Sequence, residues 1–223
     1  MDEDQGEPLF VFNVTMQNHG SYTAKHDNFN HFNVTATGFE NDMKLSTYLS
    51  LIKKSDEAME FLLNSLEKFD EPTIVCFFGD HQPAAAVSSK MLKKYGVKIN
   101  DEKIEELEQR YIVPFYIWAN YDIDEAEYEN ISVNYLSTLL LKTAGLPLTD
   151  AQGFLSELYL EYPVITANAF MDKNGVLHPS DEKESEKLLN QYAMMQYNYL
   201  VDGDEYDMFS YDYSRHQVFL NEK

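Results

Sequence analysis

The sequence predicts an α/β domain: a parallel or mixed sheet flanked by helices, with a small hairpin and a helical extension towards its C-terminal end. Three observations lead there. Thr73-Ile74-Val75-Cys76-Phe77-Phe78 is a short, continuous apolar run, the pattern of a strand covered on both faces. Residues 45–69 repeat apolar side chains at spacings of three, four and seven, which marks an amphipathic helix. Upstream of that helix, residues 9–16 form a second β-favouring run. The order strand, helix, strand predicts a right-handed βαβ unit with both strands running the same way.

Each element has its own signals. Residues 9–16 (Leu9-Phe10-Val11-Phe12-Asn13-Val14-Thr15-Met16) end in the polar turn Gln17-Asn18-His19-Gly20. Residues 21–44 are rich in Asn, Thr, Asp and Phe without a period and read as a long loop. His26 and His31 lie in it among asparagines and aromatics, as surface histidines do. The helix over 45–69 carries Tyr48, Ile52, Met59, Leu62 and Leu66 on one face, with Ser46 as N-cap. Asp70, Glu71 and Pro72 end it, and the strand over 73–78 follows. Helical pieces are expected over 88–94 and 101–110. A third strand is expected over 111–120, with Pro114 at its start, at a bulge or on an edge.

Residues 131–144 predict another helix, closed by Gly145 and barred from continuing by Pro147. A further helix spans 150–161. Residues 164–178 read as a hairpin around Asp172-Lys173-Asn174-Gly175. A charged helix runs from Ser180 to about Leu200, and an acidic, aromatic tail completes the chain. In that tail Asp202, Asp204 and Asp207 lack the ligand spacing of a calcium loop. The expected organisation is a linker-like start over 1–8, a main domain over 9–165, and hairpin, helix and tail over 166–223.

Composition narrows the function. Hydrophobic and aromatic contents of 44% and 14% suit a globular chain. The formal charge is -21, from 38 acidic and 17 basic residues, and Arg110 and Arg215 are the only arginines. Nucleic-acid binding needs a basic footprint, so no nucleic-acid partner is expected. A phosphate held here would need a metal to supply positive charge. Cys76 is the sole cysteine, so no internal disulfide forms; its place in an apolar strand predicts an inert thiol. No apolar run approaches the length of a membrane span.

The chemistry-bearing residues gather at strand ends. Gly79-Asp80-His81 follows the strand over 73–78, at the carboxyl edge where open α/β sheets place ligands. A carboxylate beside an imidazole can form half of a divalent metal site; the plainer reading of these three residues makes Gly79 a turn, Asp80 the cap of the next helix and His81 incidental. A parallel βαβ unit would bring His19 to the same rim, because neighbouring strands lie only about 4.8 Å apart.

Taken together, the segments around Val14-Thr15-Met16-Gln17-Asn18-His19, Tyr48-Leu49-Ser50-Leu51-Ile52, Phe78-Gly79-Asp80-His81 and Tyr135-Leu136-Ser137-Thr138-Leu139-Leu140 resemble the alkaline phosphatase/sulfatase superfamily. The chain looks most like its lipoteichoic-acid-synthase branch of phosphoglycerol transferases, over most of residues 9–165. The resemblance implies that Asp80 and His81 bind a divalent metal, manganese or magnesium before zinc or calcium. It implies that His19 contacts the phosphoglycerol group of the substrate. It also implies a threonine nucleophile and a further acidic ligand on strands preceding residue 9 in the family's order; Thr15 and Thr23 do not stand at the expected strand-to-helix turn. The chain is therefore expected to be the C-terminal half of a catalytic domain, with catalytic residues elsewhere and weak metal binding alone. Its expected partners are that missing half, a phosphoglycerol lipid or other phosphate or sulfate ester, and another copy through an exposed sheet edge. The full-length protein would act at the outer face of a bacterial membrane, with this part soluble. The competing expectation is a non-catalytic α/β module that binds a protein or glycan through its acidic, tyrosine-rich surface.

Overall fold

A computed structural model describes residues 8–25, 27–98 and 102–202. The chain is α/β, with helices and small antiparallel sheets, and divides into two compact units. One unit draws on residues 1–66 and 83–95; the other draws on 67–82 and 96–223. His26 and the acidic aromatic tail from residue 203, with Asp204 and Asp207, lie outside the described residues.

In the first unit, helix α1 (Met43–Leu66) begins two residues earlier than the periodicity suggests. Its cap is Asp42, not Ser46. The Asp42 carboxylate accepts the Leu45 N–H at 3.1 Å, and its carbonyl accepts the Ser46 N–H at 2.9 Å. Asp42 also pairs with Lys90 of helix α2 (Ala85–Lys94). Tyr22, Leu45 and Val87 form the core, with Tyr48, Leu49 and Met91 packed around them. Burial is confined to the first two turns of α1. Ile52 and Leu62 of the predicted apolar stripe are exposed, and so is Phe61 beside it.

Residues 9–16 correct the sequence reading. They join no ladder, and Leu9 and Phe10 are 87% and 82% exposed. β-propensity describes a fit to a pleated, half-buried surface, so a run of β-formers becomes a strand only when a neighbour pairs with it. Among the described residues no neighbour does, and the βαβ unit is not formed.

In the second unit, β1 (Ile74–Phe78) pairs with β2 (Phe115–Ala119) in antiparallel register, Ile74 opposite Ala119 and Phe78 opposite Phe115. The partner is thus the third expected strand, not the first, and β1 is half-buried along its length. Pro114 sits immediately before β2, where its missing N–H costs no ladder bond. Asn120 fastens the other end: its Oδ1 accepts the Thr73 N–H at 2.7 Å, and its Nδ2 donates to the carbonyls of Phe69 and Glu71.

Helix α3 (Ile104–Glu108) lies between these strands in sequence. After β2, a 3₁₀ turn (Val133–Tyr135) leads into α4 (Leu136–Thr143), and Gly145 ends it with φ +69°. Helix α5 (Asp150–Glu161) occupies its expected span and opens with a reciprocal capping box between Thr149 and Gln152. Strands β3 (Val164–Ile165), β4 (Ala169–Met171) and β5 (Leu177–Pro179) form a second antiparallel sheet around the predicted turn. The expected helix from Ser180 begins instead as a 3₁₀ segment (Ser180–Ser185), in which Lys183 Nζ donates to the Thr166 carbonyl at 2.5 Å. Helix α6 (Lys187–Tyr197) then packs Leu189, Tyr192 and Met195 against Tyr135, Phe154, Leu158 and Phe170.

Candidate functional site

The two groups of candidate residues fall in different units. His19 follows the turn at Gln17-Asn18, where its N–H donates to the Met16 carbonyl at 3.1 Å. Three residues on, Tyr22 takes φ +54°, a left-handed conformation that is costly for an aromatic residue. The buried ring explains it. The Tyr22 hydroxyl donates to the Asn18 carbonyl at 2.8 Å, and the ring meets Tyr48 edge-on at 5.6 Å. Burial raises the pKa of both tyrosines, so the hydroxyls stay protonated. Gly20 is required under this ring, since a Cβ there would sit 2.6 Å from the Tyr22 ring. The loop is also pinned to α1: Ser55 Oγ donates to Asn18 Oδ1 at 3.0 Å.

His19 lines a small concavity of about 290 Å³ together with Gln17, Tyr22, Phe29, His31 and Thr47. His31 Nδ1 lies 3.0 Å from Thr47 Oγ1, and its ring meets Phe29 edge-on at 4.9 Å. This second histidine is what sequence reasoning passed over. It lies in an aperiodic loop, and the signal that could have found it is its separation from a β-favouring run by a glycine-containing turn, together with Thr47 in the first turn of the next helix.

In the second unit, Asp80 and His81 directly follow β1. Gly79 does not adopt a left-handed conformation. It is needed for close approach: a Cβ would meet Val113 Cβ at 3.1 Å, and its N–H donates to the Pro114 carbonyl at 3.1 Å. Gln82 steadies the loop beyond, donating from Nε2 to the carbonyls of Gln109 and Ile112 at 2.7 and 3.0 Å. Asp80 and His81 are themselves exposed, with 78% and 66% of their side chains open to solvent.

Their local bonds have a chemical consequence. The His81 N–H donates to Asp80 Oδ1 at 2.8 Å, and His81 Nδ1 lies 2.7 Å from the Gln82 carbonyl. A carbonyl oxygen only accepts, so in the neutral ring Nδ1 carries the proton. Nε2 is then the free lone pair, and it lies 3.5 Å from Asp80 Oδ2. A carboxylate oxygen and an imidazole nitrogen therefore face one point on the surface, with the ring's other nitrogen fixed by a carbonyl as in metal-binding histidines. The donors suit a divalent cation in kind. In number they fall short: among the described residues, no group of three or more His, Cys, Asp or Glu side chains is placed to hold a metal.

These features sit within a recognisable lineage. A family model described as Sulfatase matches residues 1–146, and the chain belongs to the sulfatase family. It is 30% identical over 173 residues to a putative cyclic beta-1,2-glucan modification protein of Rhizobium meliloti, covering 76% of this chain and 27% of that protein. It is 24% identical over 149 residues to a protein of Haemophilus influenzae, covering 66% and 25%. The chain thus spans about a quarter of the length of these curated relatives. Its fold is like that of Streptococcus pyogenes phosphoglycerol transferase GacH, solved with sn-glycerol-1-phosphate, at a TM-score of 0.53 and 17% identity over 94% of this chain and 47% of that one. Among the described residues, no helix is long and apolar enough to cross a membrane.

Proposed function

We propose that this chain supplies the Asp80–His81 metal rim and the phosphate-contacting His19 of an enzyme that transfers phosphoglycerol between a lipid and a saccharide acceptor. The observation that carries the reading is the pairing of Asp80 Oδ2 and His81 Nε2 at 3.5 Å, directly after β1, with Nδ1 turned to a carbonyl. Two relatives support the substrate classes: GacH is a phosphoglycerol transferase that binds sn-glycerol-1-phosphate, and the Rhizobium protein is described as a glucan modification protein.

The chain's own residues have distinct tasks in this reading. Asp80 and His81 would hold a divalent cation, manganese or magnesium first; such an ion offsets phosphate charge and activates a hydroxyl nucleophile. His19 donates to a phosphate oxygen. Transfer to an alcohol and hydrolysis by water share the first displacement, and differ in what resolves the intermediate. Two protein donors do not make a tight catalytic site, so the remaining acidic ligand and the threonine nucleophile come from a segment outside this chain. The full-length protein acts at the outer face of a bacterial membrane.

The test is transfer of glycerol phosphate from a phosphoglycerol lipid to a glucan by the full-length protein, with and without manganese. Loss of transfer on Asp80→Ala and on metal chelation is expected. Metal-independent transfer, or an unaffected Asp80→Ala variant, would contradict the proposal. This chain alone is expected to be inactive; robust turnover by it would overturn the half-site part of the reading.

A further inference from the structure

The second unit holds a groove beside a stretch of unpaired backbone. β2 ends at Ala119, and residues 122–128 beyond it carry no helix, turn, bend or ladder. Both ends of this connection are tied. The Asn120 N–H donates to the Thr73 carbonyl at 3.0 Å, and the Ser132 N–H donates to the Pro163 carbonyl at 3.1 Å. Between them, the backbone of residues 121–131 makes no hydrogen bond to any described residue. A row of unpaired N–H and C=O groups is a template for another strand. Tyr128 keeps the stretch in place, with its ring 6.2 Å from that of Phe115 on β2 and 6.4 Å from that of Tyr159 on α5.

The groove has a volume of about 1120 Å³, above the roughly 300–1,000 Å³ usual for a small-molecule site. Its lining is largely aliphatic and aromatic: Ile117 of β2, Ile123 of the unpaired stretch, Leu139 of α4, and Leu155, Tyr159 and Leu160 of α5. The first five are half-buried and Leu160 is 47% exposed, so apolar surface is open to a ligand. Asp124, Glu125, Glu127 and Glu129 also line it. All four are exposed, and none has an ion-pair partner among the described residues. The other charges in the lining, Lys142 and Glu157, offset one another.

These observations select the ligand class together. The apolar lining calls for apolar side chains. The carboxylates repel anions and call for ammonium or guanidinium groups. The unpaired backbone calls for amides. A cation or a lipid tail meets one of these needs; an extended polypeptide meets all three. Its successive side chains point to opposite faces, so alternate residues enter the groove while basic residues between them stay at the carboxylates, and its main chain supplies the ladder.

We infer that this groove docks an extended polypeptide segment that alternates apolar residues with lysine or arginine, added as a strand along residues 122–128. The inference is independent of the phosphoglycerol-transfer reading.

The experiment is an anisotropy titration of the whole chain with a fluorescently labelled octapeptide alternating lysine and valine, at low salt. Two control peptides replace the valines by serine or the lysines by glutamate. Saturable binding of the lysine–valine peptide is expected, with the lysine–serine peptide at least about tenfold weaker and no binding of the glutamate–valine peptide. Asp124→Asn, Glu125→Gln, Glu127→Gln and Glu129→Gln together should weaken binding about tenfold, the sum of several exposed ion pairs. These substitutions keep side-chain shape at exposed positions, so the fold should survive them. Leu160→Ser, also at an exposed position, is a second variant and should weaken binding through lost apolar contact. Amide hydrogen exchange over residues 122–128 should slow when the peptide binds. Absence of saturable binding, equal binding of the lysine–serine peptide, binding indifferent to both variants, or binding that leaves exchange over 122–128 unchanged would overturn the inference. So would exchange that slows with protein concentration alone, which would assign the stretch to a second copy of this chain.

Discussion

The turn bearing His19 and the rim bearing Asp80 and His81 are built in opposite ways. The His19 turn is bracketed by distant residues: Tyr22 closes over Gly20 onto the Asn18 carbonyl, Tyr48 packs on Tyr22, and Ser55 holds the Asn18 side chain. The Asp80–His81 pair is exposed, and its hydrogen bonds join adjacent residues. Steadying comes from just behind it, through Gly79 against Val113 and Gln82 on the 109–112 backbone. A packed turn fixes geometry whatever the ligand state. An exposed pair of donors is oriented by its own hydrogen bonds and gains the rest of its order from what binds it.

Four predictions would break or sharpen this contrast, the largest first. Asp80→Ala should weaken manganese affinity on the order of 100-fold or more, because removing a direct ligand exceeds the roughly 10–100-fold cost of removing an outer-shell partner. Titration calorimetry or manganese EPR measures it, and the fold should survive, since Asp80 is exposed. Gly20→Ala should do the reverse: it forces a methyl against the Tyr22 ring and costs about 1–3 kcal/mol of stability, read by chemical denaturation. An unchanged Gly20→Ala protein would show that the His19 turn is not bracketed as described.

The third prediction concerns α5, outside both regions, and calibrates them. Thr149→Ala removes the capping box and should cost about 1 kcal/mol without altering metal binding. The fourth is a pH effect. The Lys90 ammonium, and then the Leu45 N–H, hold the Asp42 carboxyl below the ordinary carboxylate range. A depressed folded-state pKa contributes stability above the unfolded value of about 3.9, and that contribution fades as pH falls through the folded value. Asp42→Asn should therefore flatten the loss of stability of the first unit below about pH 4, measured by thermal melts across acid pH.

Legibility followed the range of the interactions. The β1 run, the span of α5 and the Gly175 turn were all readable, because each is written in a handful of contiguous residues. The strand expected over 9–16 was not realised, because pairing depends on a neighbour and not on the run itself. For the same reason β1 found an antiparallel partner well downstream, at Phe115–Ala119. The apolar stripe of α1 overstated burial, since periodicity says which face is apolar and not how much of it is covered. At the candidate site, the Gly-Asp-His motif located the donors. The Tyr22 bracket was invisible and His31 read as a surface histidine, because each depends on a contact between a loop and α1.

The most direct test is a manganese titration of this chain, repeated with Asp80→Ala and His81→Ala. A two-donor rim predicts weak but saturable binding that both substitutions abolish, with the His81 ring signals of the native chain selectively broadened by the paramagnetic ion as it loads. Tight binding, or binding that survives both substitutions, would place the cation elsewhere and contradict that rim.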